Sequence, residues 1–304
     1  MANVRKKPFV PQGRPRKKIC LISNKGAVTG STAPGFTIVP LKGWTQLDLH
    51  EVWEYRDLIW SFATRNFHVR YRQMALGPLW SILSPLVDMV LFSVLFGNLA
   101  KLPSEGVPYP IFTYTALVPW GYFSSITIAV TGSLVSEMDV ISKIYFPRLV
   151  IPFANILSLL FDTAISLLIL LGMIFSFHIP LTWRLLFIPA YLILAAVTGL
   201  GIGLWLATLA VRYRDVRNVA GYGLQVLKFV TPVVYSATLI PEKWQTLYRL
   251  NPMYWVAEGF RWAVLGAGQA PDRMIGVSCL MAVLMVISGM FVFRRTERTI
   301  VDWL

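Results

Sequence analysis

Six stretches of about 20 mostly apolar residues, each long enough to cross about 30 Å of hydrocarbon, dominate this sequence. They run roughly over residues 79–100, 109–135, 149–177, 185–211, 219–237 and 274–293. Inside hydrocarbon no water satisfies the backbone, so such segments are confined to helices that close their own hydrogen bonds. The expected fold is therefore an all-α membrane protein with six transmembrane helices. Composition agrees, because only 14% of residues are charged, against about 25% in a typical soluble domain. The two cysteines, Cys20 and Cys279, sit at opposite ends of the chain and supply neither a disulfide framework nor a metal-spacing motif.

Net charge is +13, and 13 of the 28 Lys and Arg residues fall within the first 72. A basic balance can mark a nucleic-acid partner, but here orientation in the membrane accounts for it, and no nucleic acid is expected. With both termini cytoplasmic, the inner segments carry 21 Lys and Arg against six outside. Counted from Arg56 onward the ratio is 12 to 6, still favouring N-in and C-in. Arg5-Lys6-Lys7 is followed by no apolar core of a signal peptide. Residues 1–49 read as a flexible, basic cytoplasmic tail, and 50–304 as the membrane domain.

Two elements do not span. Over residues 54–72, Thr64, Asp57, His68, Ser61, Arg72, Glu54 and Arg65 form one polar arc at 100° per residue. Leu58, Val69, Phe62, Tyr55, Ile59, Ala63, Phe67, Trp60 and Tyr71 fill the remainder, interrupted by Asn66, Arg56 and Arg70. This is an amphipathic interface helix whose arginines can snorkel, either a passive anchor or a moving part. Residues 241–265 read as two short helices. Pro241 suits a first turn, and Asn251 caps a second helix with Pro252 at its first position. Gly266 and Gly268 end it. Rich in Trp and Tyr, the pair suggests an outer re-entrant hairpin between the fifth and sixth spans, with Glu258 and Arg261 at i, i+3 able to pair.

No catalytic constellation stands out. His50, His68 and His178 are scattered, no metal-ligand motif occurs, and no Gly-Lys dipeptide exists to build a P-loop. The chain is thus expected to be no enzyme, with any ATP-driven work done by a partner. Three charges fall inside predicted spans: Asp88, Asp162 and Lys228. Charges at that depth face one another or water. Asp88 shares a face with Ser81, Ser84 and Phe92, and Lys228 with Gln225, Gly221 and Tyr235. The first and fifth spans are expected to turn these faces toward a hydrated pathway, with Lys228 paired to Asp88 or Asp162. A structural pair holding the bundle together is the alternative. Tyr114, Trp120, Tyr122, Phe123, Tyr222 and Phe229 on the second and fifth spans could stack on sugars or simply pack.

The strings RDLIWSFATRNFHVRYRQMALGPLWSILSPL, SKIYFPRLVIP, VRYRDVRNV, LNPMYWVAEGFRWAVLG and FRRTERTIVDWL, in that order around six spans, resemble one family. It is the permease subunit of ABC-2 type polysaccharide exporters, the O-antigen and teichoic-acid export family. The resemblance covers about residues 50–304; the 1–49 tail departs from it. It implies a homodimer in the bacterial cytoplasmic (inner) membrane, joined by two copies of a separate ATPase that binds ATP and Mg. It further implies a channel at the dimer interface for a glycan carried on undecaprenyl pyrophosphate.

On that resemblance, residues 54–72 and 136–148 dock on the ATPases, with Arg56, Asp57, Arg65, Arg70, Arg72, Glu137, Asp139, Lys143 and Tyr145 as coupling candidates. Arg70, Arg72 and Arg148 would attract the pyrophosphate; Arg212 and Arg214 could do so or serve topology alone. Ser84, Asp88, Phe92, Tyr114, Trp120, Tyr222, Gln225, Lys228 and Phe229 would line the substrate path. Trp244, Asn251, Tyr254, Trp255, Glu258 and Arg261 would form an outer gate. Arg70 to Pro78 would transmit motion from the ATPases to the first span. Competing expectations are an ABC-2 permease for a drug or lipid and a membrane glycan or lipid transferase. For the transferase, the only acidic cluster is Asp48, Glu51, Glu54 and Asp57, placed before the first span.

Overall fold

The computed structural model describes residues 49–72, 79–138 and 146–299. The tail, most of the Arg70–Pro78 segment, and Asp139, Lys143 and Tyr145 lie outside the described residues. Helices α1 (Leu49–Glu54) and α2 (Arg56–Tyr71) come first. Helix α3 (Leu79–Phe92) then continues as a π-helical stretch, Ser93–Leu99. Next come α4 (Tyr109–Ser136), α5 (Val150–Ser176) and α6 (Ile188–Arg212), the last entered through a 3-10 turn at Trp183–Phe187. Helices α7 (Val216–Val230), α8 (Glu242–Leu250), α9 (Pro252–Leu265) and α10 (Met274–Thr299) complete the described chain.

Among the described residues, five helical stretches are long and apolar enough to cross a membrane: Ile82–Leu99, Tyr109–Ser136, Val150–Ser176, Trp183–Arg212 and Met274–Thr296. The chain is an all-α, multi-spanning membrane protein. The stretch read from sequence as a fifth span over 219–237 differs. There α7 holds 15 residues, a length of about 22 Å. It stops because Pro232 pushes Thr231 out of the helical region, to φ −82° and ψ 141°.

Helix α4 is the centre of the bundle. It packs against α6, and α6 packs in turn against α10. Lipid offers no hydrophobic drive between helices, so close approach rests on small residues that let backbones touch. Gly199 and Gly203, one turn apart on α6, meet α4. A Cβ at Gly199 would lie 2.9 Å from the Phe123 carbonyl oxygen, and one at Gly203 would lie 2.7 Å from Val130 Cβ. On the opposite side of α6, a Cβ at Gly201 would lie 3.0 Å from the Val286 nitrogen of α10. One at Gly289 would lie 3.0 Å from the Gly201 oxygen. Phe123, Ile126, Val130, Leu204 and Ala207 are buried around this seam. With α4 held on one side by α6, its other side is left to α5, α3 and α7.

Candidate functional site

Between α2, α3, α4, α5 and α7 lies a cavity of about 510 Å³. Its wall carries Arg70 and Tyr71 from α2, Trp80, Ser84 and Asp88 from α3, and Trp120, Tyr122, Ser124 and Ser125 from α4. Helix α5 adds Asp162, Thr163 and Ser166, and α7 adds Gln225 and Lys228. Lys228 Nζ donates to Asp88 Oδ2 at 2.9 Å and sits 5.0 Å from the Phe92 ring centre. Of the two partners that the sequence allows Lys228, Asp88 is the one it takes. Asp162 is held instead by the Arg70 guanidinium and the Tyr71 hydroxyl. All three charges of the predicted spans are thereby paired, as the cost of an isolated charge within a bilayer would require.

The Arg70 pairing changes the reading of α2. Asn66 and Arg70 stand one turn apart on the side expected to face lipid, where arginine would snorkel. In the structure that side meets α5. Asn66 Nδ2 donates to Asn155 Oδ1 at 3.0 Å, and Arg70 engages Asp162 two turns further along α5. Trp60 and Phe67 pack on Phe161, with ring centres 6.3 and 5.4 Å apart. Two of the three polar interruptions of the helix, Asn66 and Arg70, are the teeth that key it onto its neighbour.

Ser84, Asp88, Trp120, Gln225 and Lys228 line the cavity together. Phe92 is buried beside Lys228, with the Phe229 ring 6.0 Å away edge-on. Tyr114 is buried, and its hydroxyl donates to the Ser166 carbonyl at 3.3 Å, tying α4 to α5. Tyr222 points away from this group and is 72% exposed. Among the coupling residues, Arg65 pairs with Glu137 just after α4, and Phe62 packs on Phe146 with ring centres 5.7 Å apart. Helix α2 thus touches both ends of the 136–148 segment. Arg56, Asp57 and Arg72 are exposed, and Arg148 is half-buried beside the start of α5.

A second polar cluster lies where α7 breaks. Glu258 and Arg261 are fully buried. Arg261 Nη1 donates to Glu258 Oε1 at 2.8 Å, to the Pro232 carbonyl at 2.8 Å and to the Tyr235 carbonyl at 3.1 Å. Its Nη2 donates to the Val233 carbonyl at 2.6 Å, and the guanidinium lies 3.9 Å from the Phe112 ring centre. The carbonyls of the irregular turn after α7 are therefore satisfied from α9. Glu258 Oε2 accepts from the Gln269 amide at 3.1 Å. Burial pushes the Glu258 carboxyl above its usual range, while the charge of Arg261 and the Gln269 amide pull it back. Glu105, in the loop before α4, accepts from Ser236 Oγ and from the Gly268 amide.

Of the outer-gate candidates, Trp244 projects outward and is 56% exposed. Tyr254 and Trp255 are buried, the first donating to Gln269 Oε1 at 3.0 Å and the second to the Arg249 carbonyl at 2.8 Å. Asn251 caps α9, accepting from the Met253 amide at 3.0 Å, and donates to Thr231 Oγ1 at 3.1 Å. Sequence reading overlooked Glu105 and the glycines of α6. The signals available were an acidic residue in an outer loop next to Gly106, and small residues four apart in an apolar helix.

Residues 57–265 match the ABC-2 type transporter family. The chain belongs to that family. It is 27% identical over 257 residues to the O-antigen export system permease protein of Myxococcus xanthus, covering 82% of this chain and 96% of that one. The corresponding protein of Klebsiella pneumoniae is 26% identical over 243 residues, or 79% of this chain and 92% of that one. The polysialic acid transport protein of Escherichia coli is 23% identical over 243 residues, or 77% and 91%.

The ABC-2 match runs from α2 through α9 and so takes in both the cavity and the Glu258–Arg261 cluster. This ABC-2 chain is a permease-type transport subunit, and its sequence holds no P-loop of its own.

Proposed function

We propose that the chain is the transmembrane subunit of an ATP-driven exporter of undecaprenyl-pyrophosphate-linked polysaccharide in the bacterial inner membrane. It works as a homodimer with two copies of a separate ATPase. The cavity carries the reading. Trp80, Trp120 and Tyr122 offer flat apolar faces for sugar C–H surfaces, and Ser84, Ser124, Thr163 and Gln225 offer hydrogen-bonding groups for sugar hydroxyls. The relatives named for O-antigen and polysialic acid export support the same substrate class. On this reading α7 and the turns that follow it complete a sixth crossing, both termini lie inside, and α8 with α9 forms the outer re-entrant hairpin. Trp244 is its outward-facing gate residue. Arg72 and Arg148 are the rim cations offered to the pyrophosphate.

Force from the ATPases enters at α2 and the 136–148 segment. The Arg65–Glu137 and Phe62–Phe146 contacts join α2 to the two described ends of that segment. Arg70 and Tyr71, at the end of the same helix, hold Asp162 in the cavity wall. A shift of α2 therefore reaches the cavity through side chains at the end of that helix. The Arg65–Glu137 pair is partly exposed, so its loss costs little stability, on the order of 0–1 kcal/mol. Arg65→Glu should leave the melting temperature unchanged yet lower glycan-stimulated ATPase several-fold. Arg65→Glu with Glu137→Arg should recover most of it, and a swap no better than the single variant would remove the pair from the coupling path.

Purification with the cognate ATPase and reconstitution in liposomes tests the reading itself. Lipid-linked glycan should stimulate ATP hydrolysis. Stimulation by small amphiphiles and by no lipid-linked glycan would replace glycan export with drug or lipid export.

A further inference from the structure

We infer that the cavity selects uncharged sugar residues and discriminates against polyanionic glycan. The inference rests on the export reading above and narrows its substrate class. Among the described residues, four charged side chains line the cavity: Arg70, Asp88, Asp162 and Lys228. There are two of each sign, and each cation is already bound to a carboxylate, Arg70 to Asp162 and Lys228 to Asp88. The remaining wall is uncharged: aromatic, aliphatic or hydroxyl-bearing, with the amide of Gln225. A cavity built to pass a polyanion needs cations whose charge is left over for the ligand. Here a carboxylated sugar could recruit Lys228 or Arg70 only by breaking an existing pair, which takes from Asp88 or Asp162 the cation that balances its charge.

The environment makes that exchange unfavourable twice over. Between apolar helices the local dielectric is low, so a stranded carboxylate and an incoming one repel more strongly than in water. The anion also has to shed its hydration shell on entry. A neutral hexose meets neither penalty. Its C–H face stacks on Trp80, Trp120 or Tyr122, and its hydroxyls exchange water for side-chain hydroxyls and for the outer lone pairs of the paired carboxylates. The ion pairs thus act by rejection: they keep the wall polar enough for sugar while withholding net positive charge.

The test uses the complex with its ATPase in liposomes and two probes of equal length. One is undecaprenyl-pyrophosphate-linked oligomannose and the other the same carrier bearing oligosialic acid. The neutral probe should half-saturate ATPase stimulation at a concentration about tenfold lower than the anionic one. Asp88→Asn leaves Lys228 without its carboxylate and should close or reverse that gap. Asp88→Asn with Lys228→Gln restores neutrality and should restore the neutral preference. A wild-type measurement guards against a variant that fails to fold. Equal or better stimulation by the sialic probe overturns the inference and leaves glycan export standing. Stimulation by neither probe overturns both.

Discussion

Replacing Arg261 with alanine should destabilise the protein by about 3–5 kcal/mol, enough to lower the yield of folded material as well as its melting temperature. The reason is the number of groups one guanidinium satisfies. It neutralises Glu258 and takes the carbonyls of Pro232, Val233 and Tyr235, all in a site without exposure to solvent. Without it, a buried carboxylate keeps only the Gln269 amide, and the carbonyls beyond α7 lose their donor. Arg261→Lys should recover little, since an ammonium has no planar fork and cannot lie flat on Phe112. Glu258→Gln should also destabilise, by stranding the cation. The double variant Arg261→Met with Glu258→Leu should be milder than either single change, because removing both charges avoids an uncompensated one. Tryptophan fluorescence during heating in detergent measures the series. A melting temperature for Arg261→Ala equal to wild type would show that the outer cluster does not hold the break of α7.

The same residue shows where sequence reading reached its limit. Five membrane-crossing stretches were legible because length and apolar content alone decide them. The 219–237 segment was read through to Ala237, although its helix ends at Val230. Pro232 gave a local signal, but the partners of its neighbouring carbonyls come from Arg261, nearly thirty residues later. A one-dimensional pattern carries no such information. Glu258 and Arg261 at i, i+3 were legible as a pair, but not that the pair faces inward. Tyr254 and Trp255 were gate candidates on the family resemblance, and nothing in their local sequence shows that both are buried. Face reading placed Asp88 and Lys228 correctly on the cavity side, yet could not choose between Asp88 and Asp162 as partner. That choice depends on Arg70, which a wheel of α2 alone treats as a defect, because the wheel cannot show that α5 lies opposite.

Gly203→Leu should be more damaging than any side-chain change in the cavity. The close approach at this point is to the α4 backbone region itself: a Cβ would stand 2.7 Å from Val130 Cβ and 3.2 Å from the Thr127 oxygen. Relief requires α4 and α6 to separate, and α6 is gripped on its far side by α10 through Gly201 and Gly289. Any retreat of α4 would also carry Trp120 and Tyr122 into the cavity. Gly203→Ala should cost about 1–3 kcal/mol by overpacking, and Gly203→Leu should abolish the folded, monodisperse protein in detergent. Gly172→Leu on α5 is the control, because a Cβ there meets nothing within 4 Å. Val130→Gly removes the atom in conflict and should return part of the stability lost by Gly203→Ala, despite the roughly 1 kcal/mol that glycine costs inside a helix. If Gly203→Leu eluted and melted like Gly172→Leu, the contact between α4 and α6 would have to be looser than its backbone distances indicate. The cavity wall would then rest on the Tyr114 and Arg70 contacts to α5 instead.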